Sequence, residues 1–184
     1  MKTKFKIGLI AVSLGLAAPM WAGAATITFT GEVAASTCDV TINGATAGNV
    51  LMPTVPASSL DAAGKTAGLT TFTITAENCP VSANDLVIQT MFLGHNVDVA
   101  SGGLENDWTG TGTAATNVVI QLTQNADGTS PITLSANPTT VPAMTVQAGD
   151  TGATYTYGAQ YLAVTGAATV GMVQAVAEYE LVYN

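Results

Sequence analysis

The sequence contains no arginine and only four lysines among its 184 residues, and three of those lysines, Lys2, Lys4 and Lys6, fall within the first six positions. All 12 acidic residues lie after Gly31, so a chain trimmed of its first residues would keep one cation, Lys65, against 12 acids, a net charge of −11. A surface with a single cation cannot displace counterions from a phosphate backbone or hold an anionic bilayer, so no nucleic acid and no lipid headgroup is expected as a partner. Histidine occurs once, at His95, which excludes a multi-histidine metal centre. There is no Cys-x-x-Cys and no Gly-x-Ser-x-Gly, and Gly110-Thr111-Gly112 lacks the rest of a phosphate-binding loop. Asp98, Glu105 and Asp107 are acidic neighbours without EF-hand spacing and read as a solvated loop. No catalytic residue, cofactor or metal site is therefore expected. Charged residues are only 9% of the chain, a composition that suits a surface packing against copies of itself.

What is present begins with an export signal. The three lysines are followed by an apolar run from Ile7 to Ala18 and by the small-residue cleavage site Ala22-Gly23-Ala24. A run of about 12 residues falls short of the roughly 20 needed to span a bilayer, so direct membrane insertion is not expected and the mature chain should start near Ala25. Cys38 and Cys79 are the only cysteines. In an exported chain such a pair reads as a disulfide, worth roughly 4 kcal/mol for a loop of about 40 residues.

The rest is written in strands. From Met172 to Tyr183 the residues Val173, Ala175, Ala177, Tyr179, Leu181 and Tyr183 alternate with a set that holds Gln174, Glu178 and Glu180, the period of a strand with one buried face. A final core strand leaves its neighbouring edge uncovered, and such an edge invites pairing. Near the other end, Ile27, Phe29, Gly31 and Val33 alternate with Thr26, Thr28, Thr30 and Glu32, a second amphipathic strand. Between them the pattern predicts strands over Cys38 to Ile42, stopped by the turn pair Asn43-Gly44, over Val50 to Met52, Thr71 to Ala76, Leu86 to Phe92, Val118 to Leu122 and Tyr155 to Ala163. The Asn125–Gly128 turn leads into Ile132 and Leu134. Residues 94–116 read as a long surface loop. Pro131, Pro138 and Pro142 forbid a helix across their region. Short strands separated by turn signals mean a β-sandwich.

In order and spacing these segments resemble a pilin of the chaperone–usher class, similar to type 1 fimbrial major subunits. The resemblance is carried by Thr28-Phe29-Thr30-Gly31-Glu32-Val33 ahead of Cys38, a second cysteine after Phe72-x-Ile74, Phe92-Leu93-Gly94, Val119-Ile120-Gln121-Leu122, Ala159-x-Tyr161-x-Ala163 with Gly166-Ala167-Ala168-Thr169-x-Gly171, and the penultimate Tyr183. It implies an all-β fold, an incomplete immunoglobulin-like β-sandwich lacking its last strand, with an N-terminal donor-strand extension. The division would be a signal peptide over 1–24, the extension over 25–37 and a pilin domain over 38–184. Ile27, Phe29, Gly31 and Val33 would form the donor strand. Val173, Ala175, Ala177, Tyr179, Leu181, Tyr183 and Asn184 would form the strand beside the groove, where a periplasmic chaperone binds first and the next subunit's extension later, at an outer-membrane usher. The implied product is a homopolymer at the cell surface, a fimbrium used in adhesion.

Two alternatives stay open. Counting from Ala25, only 13 residues precede Cys38, a short extension that resembles the minor linker subunits of a fimbrial tip. Trp108, in a loop rich in Gly and Asp, suits sugar stacking in a carbohydrate-binding adhesin, although family adhesins carry a separate lectin domain.

Overall fold

A computed structural model describes residues 38–46, 48–135 and 137–184. The expected export signal over 1–24 and the segment holding Ile27, Phe29, Gly31 and Val33 lie outside the described residues. Within them the chain forms ten strands, namely β1 (Asp39–Ile42), β2 (Thr66–Glu77), β3 (Leu86–Gly94), β4 (Val97–Asp98), β5 (Gly103–Glu105), β6 (Val118–Thr123), β7 (Thr139–Thr140), β8 (Met144–Val146), β9 (Ala153–Ala163) and β10 (Ala177–Tyr183). A single 3-10 turn, Ala57–Leu60, is the one helical element among the described residues.

β1 and β2 show how local chemistry sets register. Asn43 and Gly44 both adopt positive φ, 50° and 77°, the two-residue turn whose twist matches antiparallel strands. It returns the chain so that Ile42 and Ala45 exchange backbone hydrogen bonds (2.8 and 3.0 Å). The Asn43 side chain then accepts from the Thr73 amide (2.9 Å), and β1 aligns with β2 from Asp39↔Glu77 to Ile42↔Ile74. The Cys38–Cys79 disulfide is formed, tying the start of β1 to the end of β2.

Six strands order as β1-β2-β9-β6-β5-β4, and the second sheet runs β10-β3-β7 with β8 also pairing β3. Period-2 alternation sends one face of each sheet inward. Phe72, Ile74 and Ala76 of β2, Tyr157 and Ala159 of β9, and Ile120 and Leu122 of β6 meet Ile88 and Phe92 of β3 and Met144 and Val146 of β8 in one core. The architecture is an all-β sandwich, two sheets packed over that core.

Three expectations need correction. Val50 to Met52 is not a strand: it lies between β1 and Pro53, which has no amide to donate, and Leu51 is 88% exposed. Strand β2 starts at Thr66, earlier than its alternation suggests, because a bulge between Ala67 and Thr70 interrupts the period, with Gly68 at φ 67°. Residues 94–116 are only partly loop. β4 and β5 form a hairpin on the edge of the large sheet, Val97↔Leu104 and Asp98↔Gly103, and Leu104 is buried. Its tight turn is closed by the Gly102 amide donating to the Asp98 carbonyl (2.8 Å).

Candidate functional site: an apolar groove beside an open strand edge

β10 pairs antiparallel with β3 from Ala177↔Gly94 to Tyr183↔Ile88. Asn184 and Val87 exchange both backbone hydrogen bonds (2.9 and 3.2 Å). In an antiparallel ladder the bonded pairs recur every second residue, so Val182, Glu180 and Glu178 also turn their amides and carbonyls toward β3. The same sense continues upstream of β10. The carbonyl of Val176 accepts from His95, that of Gln174 from Asp107 and that of Met172 from Ala115, while the Met172 amide donates to Thr113 (3.3, 2.8, 2.9 and 2.8 Å).

The odd-numbered residues must then direct their backbone groups the other way. Among the described residues the amides and carbonyls of Val173 and Ala175 have no backbone partner, the alternation of the ladder turns those of Ala177, Tyr179, Leu181 and Tyr183 away from β3, and β10 is the edge of its sheet. Their side chains are half-buried and pack on the main core, while Gln174, Glu178 and Glu180 are exposed. The six residues that sequence periodicity singles out thus share both an inward face and an open edge. Asn184 sits beyond them, bonded to Val87.

Next to that edge lies a cavity of about 810 Å³, lined by the core side chains Phe72, Phe92, Ile120 and Leu122, by the partly buried Tyr161, by Val173 to Ala177 and Tyr179, and by Ile42 at the end of β1 with Val50, Met52 and Val55 from the chain after it. Such a volume is within the range of small-molecule pockets. The unpaired strand edge distinguishes it, because a compact ligand has no use for a row of evenly spaced backbone groups, whereas an extended chain does. Leu51, Val170, Met172 and Val176, all more than 40% exposed, also line it, and clustered exposed apolar side chains mark an interaction surface. Burial in this wall raises the Tyr161 phenol above its ordinary value.

The acidic loop is used structurally. The Asp98 carboxylate accepts from the Ser101 hydroxyl (2.5 Å) and amide (2.9 Å), which together hold its pKa below the usual value, the hydroxyl having the larger effect. Asp107 accepts from the Asn96 side chain (2.7 Å). No cluster of three or more His, Cys, Asp or Glu residues suited to a metal occurs among the described residues. His95 contributes its backbone amide to the wall and leaves its side chain exposed. Trp108 lines the groove, half-buried, with its indole nitrogen unpaired among the described residues.

Sequence reasoning missed Asn106. Its side-chain oxygen accepts from the amides of Gln174 (3.0 Å) and Trp108 (3.1 Å), and its nitrogen donates to the carbonyls of Ala115 and Met172 (both 2.8 Å). A lone asparagine in a Gly- and Asp-rich stretch carries no local signal for such a role.

Fold and groove together define a class: an all-β sandwich domain with a long, apolar-backed strand edge able to take up an extended segment. The chain belongs to the fimbrial protein family, which it matches over residues 27–184. It is 37% identical to the F17 fimbrial protein of Escherichia coli, over 100% of this chain and 99% of that one. It is 38% identical to the major fimbrial subunit SMF-1 of Stenotrophomonas maltophilia, over 91% and 98% respectively. The minor fimbrial subunit HifD of Haemophilus influenzae is 33% identical, over 97% and 82%. The protein is a fimbrial subunit, one component of a surface fibre built from such subunits.

Proposed function

We propose that this chain is a structural subunit, and not an enzyme, of a chaperone–usher fimbria that polymerises by donor-strand exchange. The extension over 25–37, with Ile27, Phe29, Gly31 and Val33 facing inward, enters the groove of the preceding copy and pairs with the edge formed by Val173, Ala175, Ala177, Tyr179, Leu181 and Tyr183. The observation that carries this reading is that edge: backbone groups directed outward over a half-buried apolar face. Strand addition draws affinity from main-chain hydrogen bonds and register from alternate side chains, and both are on offer.

Magnitudes favour a durable contact. Burying Ile27, Phe29 and Val33 at roughly 1.5 to 3 kcal/mol each amounts to on the order of 5 to 9 kcal/mol. Each ladder hydrogen bond adds about 0.5 to 1.5 kcal/mol. The exchange needs no nucleotide if the final packing is tighter than the one it replaces. In this reading residues 1–24 direct export, a periplasmic chaperone occupies the groove first, an outer-membrane usher is the site of exchange, and the homopolymer reaches the cell surface to serve adhesion. A shaft role is preferred. A tip-linker role is the second reading, favoured by the short extension before Cys38 and by the likeness to a minor subunit.

Deleting residues 26–33 tests the proposal. The truncated protein should be exported, form its disulfide and yield no surface fibres by electron microscopy. Normal fibres from the truncated chain would refute strand donation.

A further inference from the structure

The open edge runs from Val173 to Tyr183, yet only its later part belongs to β10. Pairing of β10 with β3 stops at Ala177↔Gly94, so β3 cannot hold Val173 and Ala175 in line. Asn106 reaches this segment instead. Its carboxamide has two donors and two acceptor positions, and all four are spent on main chain: the amides of Gln174 and Trp108, and the carbonyls of Met172 and Ala115. Two of these bonds fall on the even residues 172 and 174, on the side away from the groove. Fixing the even residues to that side fixes the intervening odd ones toward the other, since backbone groups alternate along an extended chain. The backbone bonds from Ala115 to the Met172 carbonyl and from Asp107 to the Gln174 carbonyl act in the same direction. The segment is exposed at Met172 and Gln174, so solvent would compete for those groups if the side chain were missing.

We infer that Asn106 is a positioning residue that extends the strand-accepting edge beyond β10 through Ala175 to Val173, so that an incoming strand is paired along two differently supported halves, one held by β3 and the other by Asn106. This inference rests on the strand-exchange reading above. It touches neither the disulfide nor the main core, so its removal should loosen one end of the groove and leave the sandwich intact.

The test is site-resolved hydrogen exchange on assembled fibres of the full chain, comparing the amides of Val173 and Ala175 with those of Tyr179 and Leu181. In the unaltered protein all four should be protected. In Asn106→Ala, exchange at Val173 and Ala175 should speed up by about tenfold, the scale of losing one or two hydrogen bonds, while Tyr179 and Leu181 change by less than about twofold. Asn106→Asp keeps the acceptors but turns a carboxylate toward the Met172 and Ala115 carbonyls, and should give the same pattern. If Asn106→Ala forms no fibre, Asn106→Asp alone decides. Unchanged protection at Val173 and Ala175, or equal loss at all four positions, overturns the inference while strand exchange stands. Unprotected Tyr179 and Leu181 in unaltered fibres overturn strand exchange itself and the inference with it.

Discussion

Phe92 of the small sheet meets Tyr157 of the large sheet edge to face, ring centroids 5.2 Å apart at 84°. Tyr157 in turn stacks on Phe72, its register partner in β2 (5.5 Å, 26°), so three rings join the two sheets. Phe72 and Phe92 also line the groove. Core and site are therefore the same surface seen from two sides, and damage to one should be felt in the other.

Phe92→Ala should accordingly lower unfolding free energy by about 3 to 5 kcal/mol, the usual cost of removing a buried ring. The urea midpoint of the monomer measures the loss. Because Phe92 backs the groove, fibres of the variant should also dissociate in detergent at lower temperature than unaltered fibres. A midpoint shift without any change in fibre resistance would separate groove from core.

The Cys38–Cys79 bridge closes a loop of 41 residues. By the chain-entropy estimate, Cys38→Ala with Cys79→Ala should lose roughly 4 kcal/mol. The bridge fixes β1 against the end of β2, beside the segment that supplies Ile42 and Val50 to the groove. Melting the double variant under oxidising conditions, with the reduced parent as reference, checks this: the two should behave alike.

Long alternating segments are legible in the sequence because their apolar side chains recur with the period of a strand; in β3 that period matches burial, whereas β6 is buried at every position. β3, β6 and β9 appear close to where the alternation of Leu86 to Phe92, Val118 to Leu122 and Tyr155 to Ala163 places them. The apolar set of the final segment is legible for the same reason. The short elements are not. β5 contributes Gly103, Leu104 and Glu105, and one buried leucine between a glycine and an acid has no period. β7 and β8 lie among Pro138 and Pro142, where proline argues against regular structure although an edge pairing of two or three residues tolerates it. The open edge is half legible. Alternation identifies which side chains face inward, but the direction of the backbone groups depends on register with β3 and on Asn106, which are long-range facts.

Burial pushes the Tyr157 phenol above its ordinary pKa of 10.0, with desolvation the main cause. The folded state thus keeps this proton where the unfolded chain has begun to lose it. The contribution is fully present below about pH 10, and stability falls as pH rises through the folded value. Urea midpoints taken from about pH 8 to 11 should decline, and Tyr157→Phe should flatten that decline. At neutral pH the same variant should cost about 1 kcal/mol for the lost hydrogen bond to the Pro142 carbonyl (3.3 Å). An equally steep alkaline decline in the variant would assign the effect to other tyrosines.

Gly171 precedes the groove wall with no room for a side chain. An added Cβ would lie 2.6 Å from the Ala114 carbonyl carbon and 2.7 Å from the Thr113 oxygen, backbone atoms that cannot rotate away. Gly171→Ala should therefore displace Met172 and its bond to Thr113, at about 1 to 3 kcal/mol. Gly166→Ala is the control, since nothing lies within 4 Å of the corresponding carbon. Faster exchange at the Met172 amide in the first variant alone is the expected result.

Gly31 falls on the apolar side of the extension, between Phe29 and Val33. If that side enters a neighbour's groove, a glycine there marks a point where the two backbones approach closely and a side chain has no space. Gly31→Leu should then block polymerisation. It should leave folding and chaperone capture unchanged, because those depend on the groove of the same copy and not on its extension. Co-purification with the chaperone reports the second half of this expectation and electron microscopy of cells the first. Fibres of normal number and length from Gly31→Leu would show that the glycine is an ordinary strand residue. Loss of chaperone capture together with fibres would show instead that the substitution damages the domain.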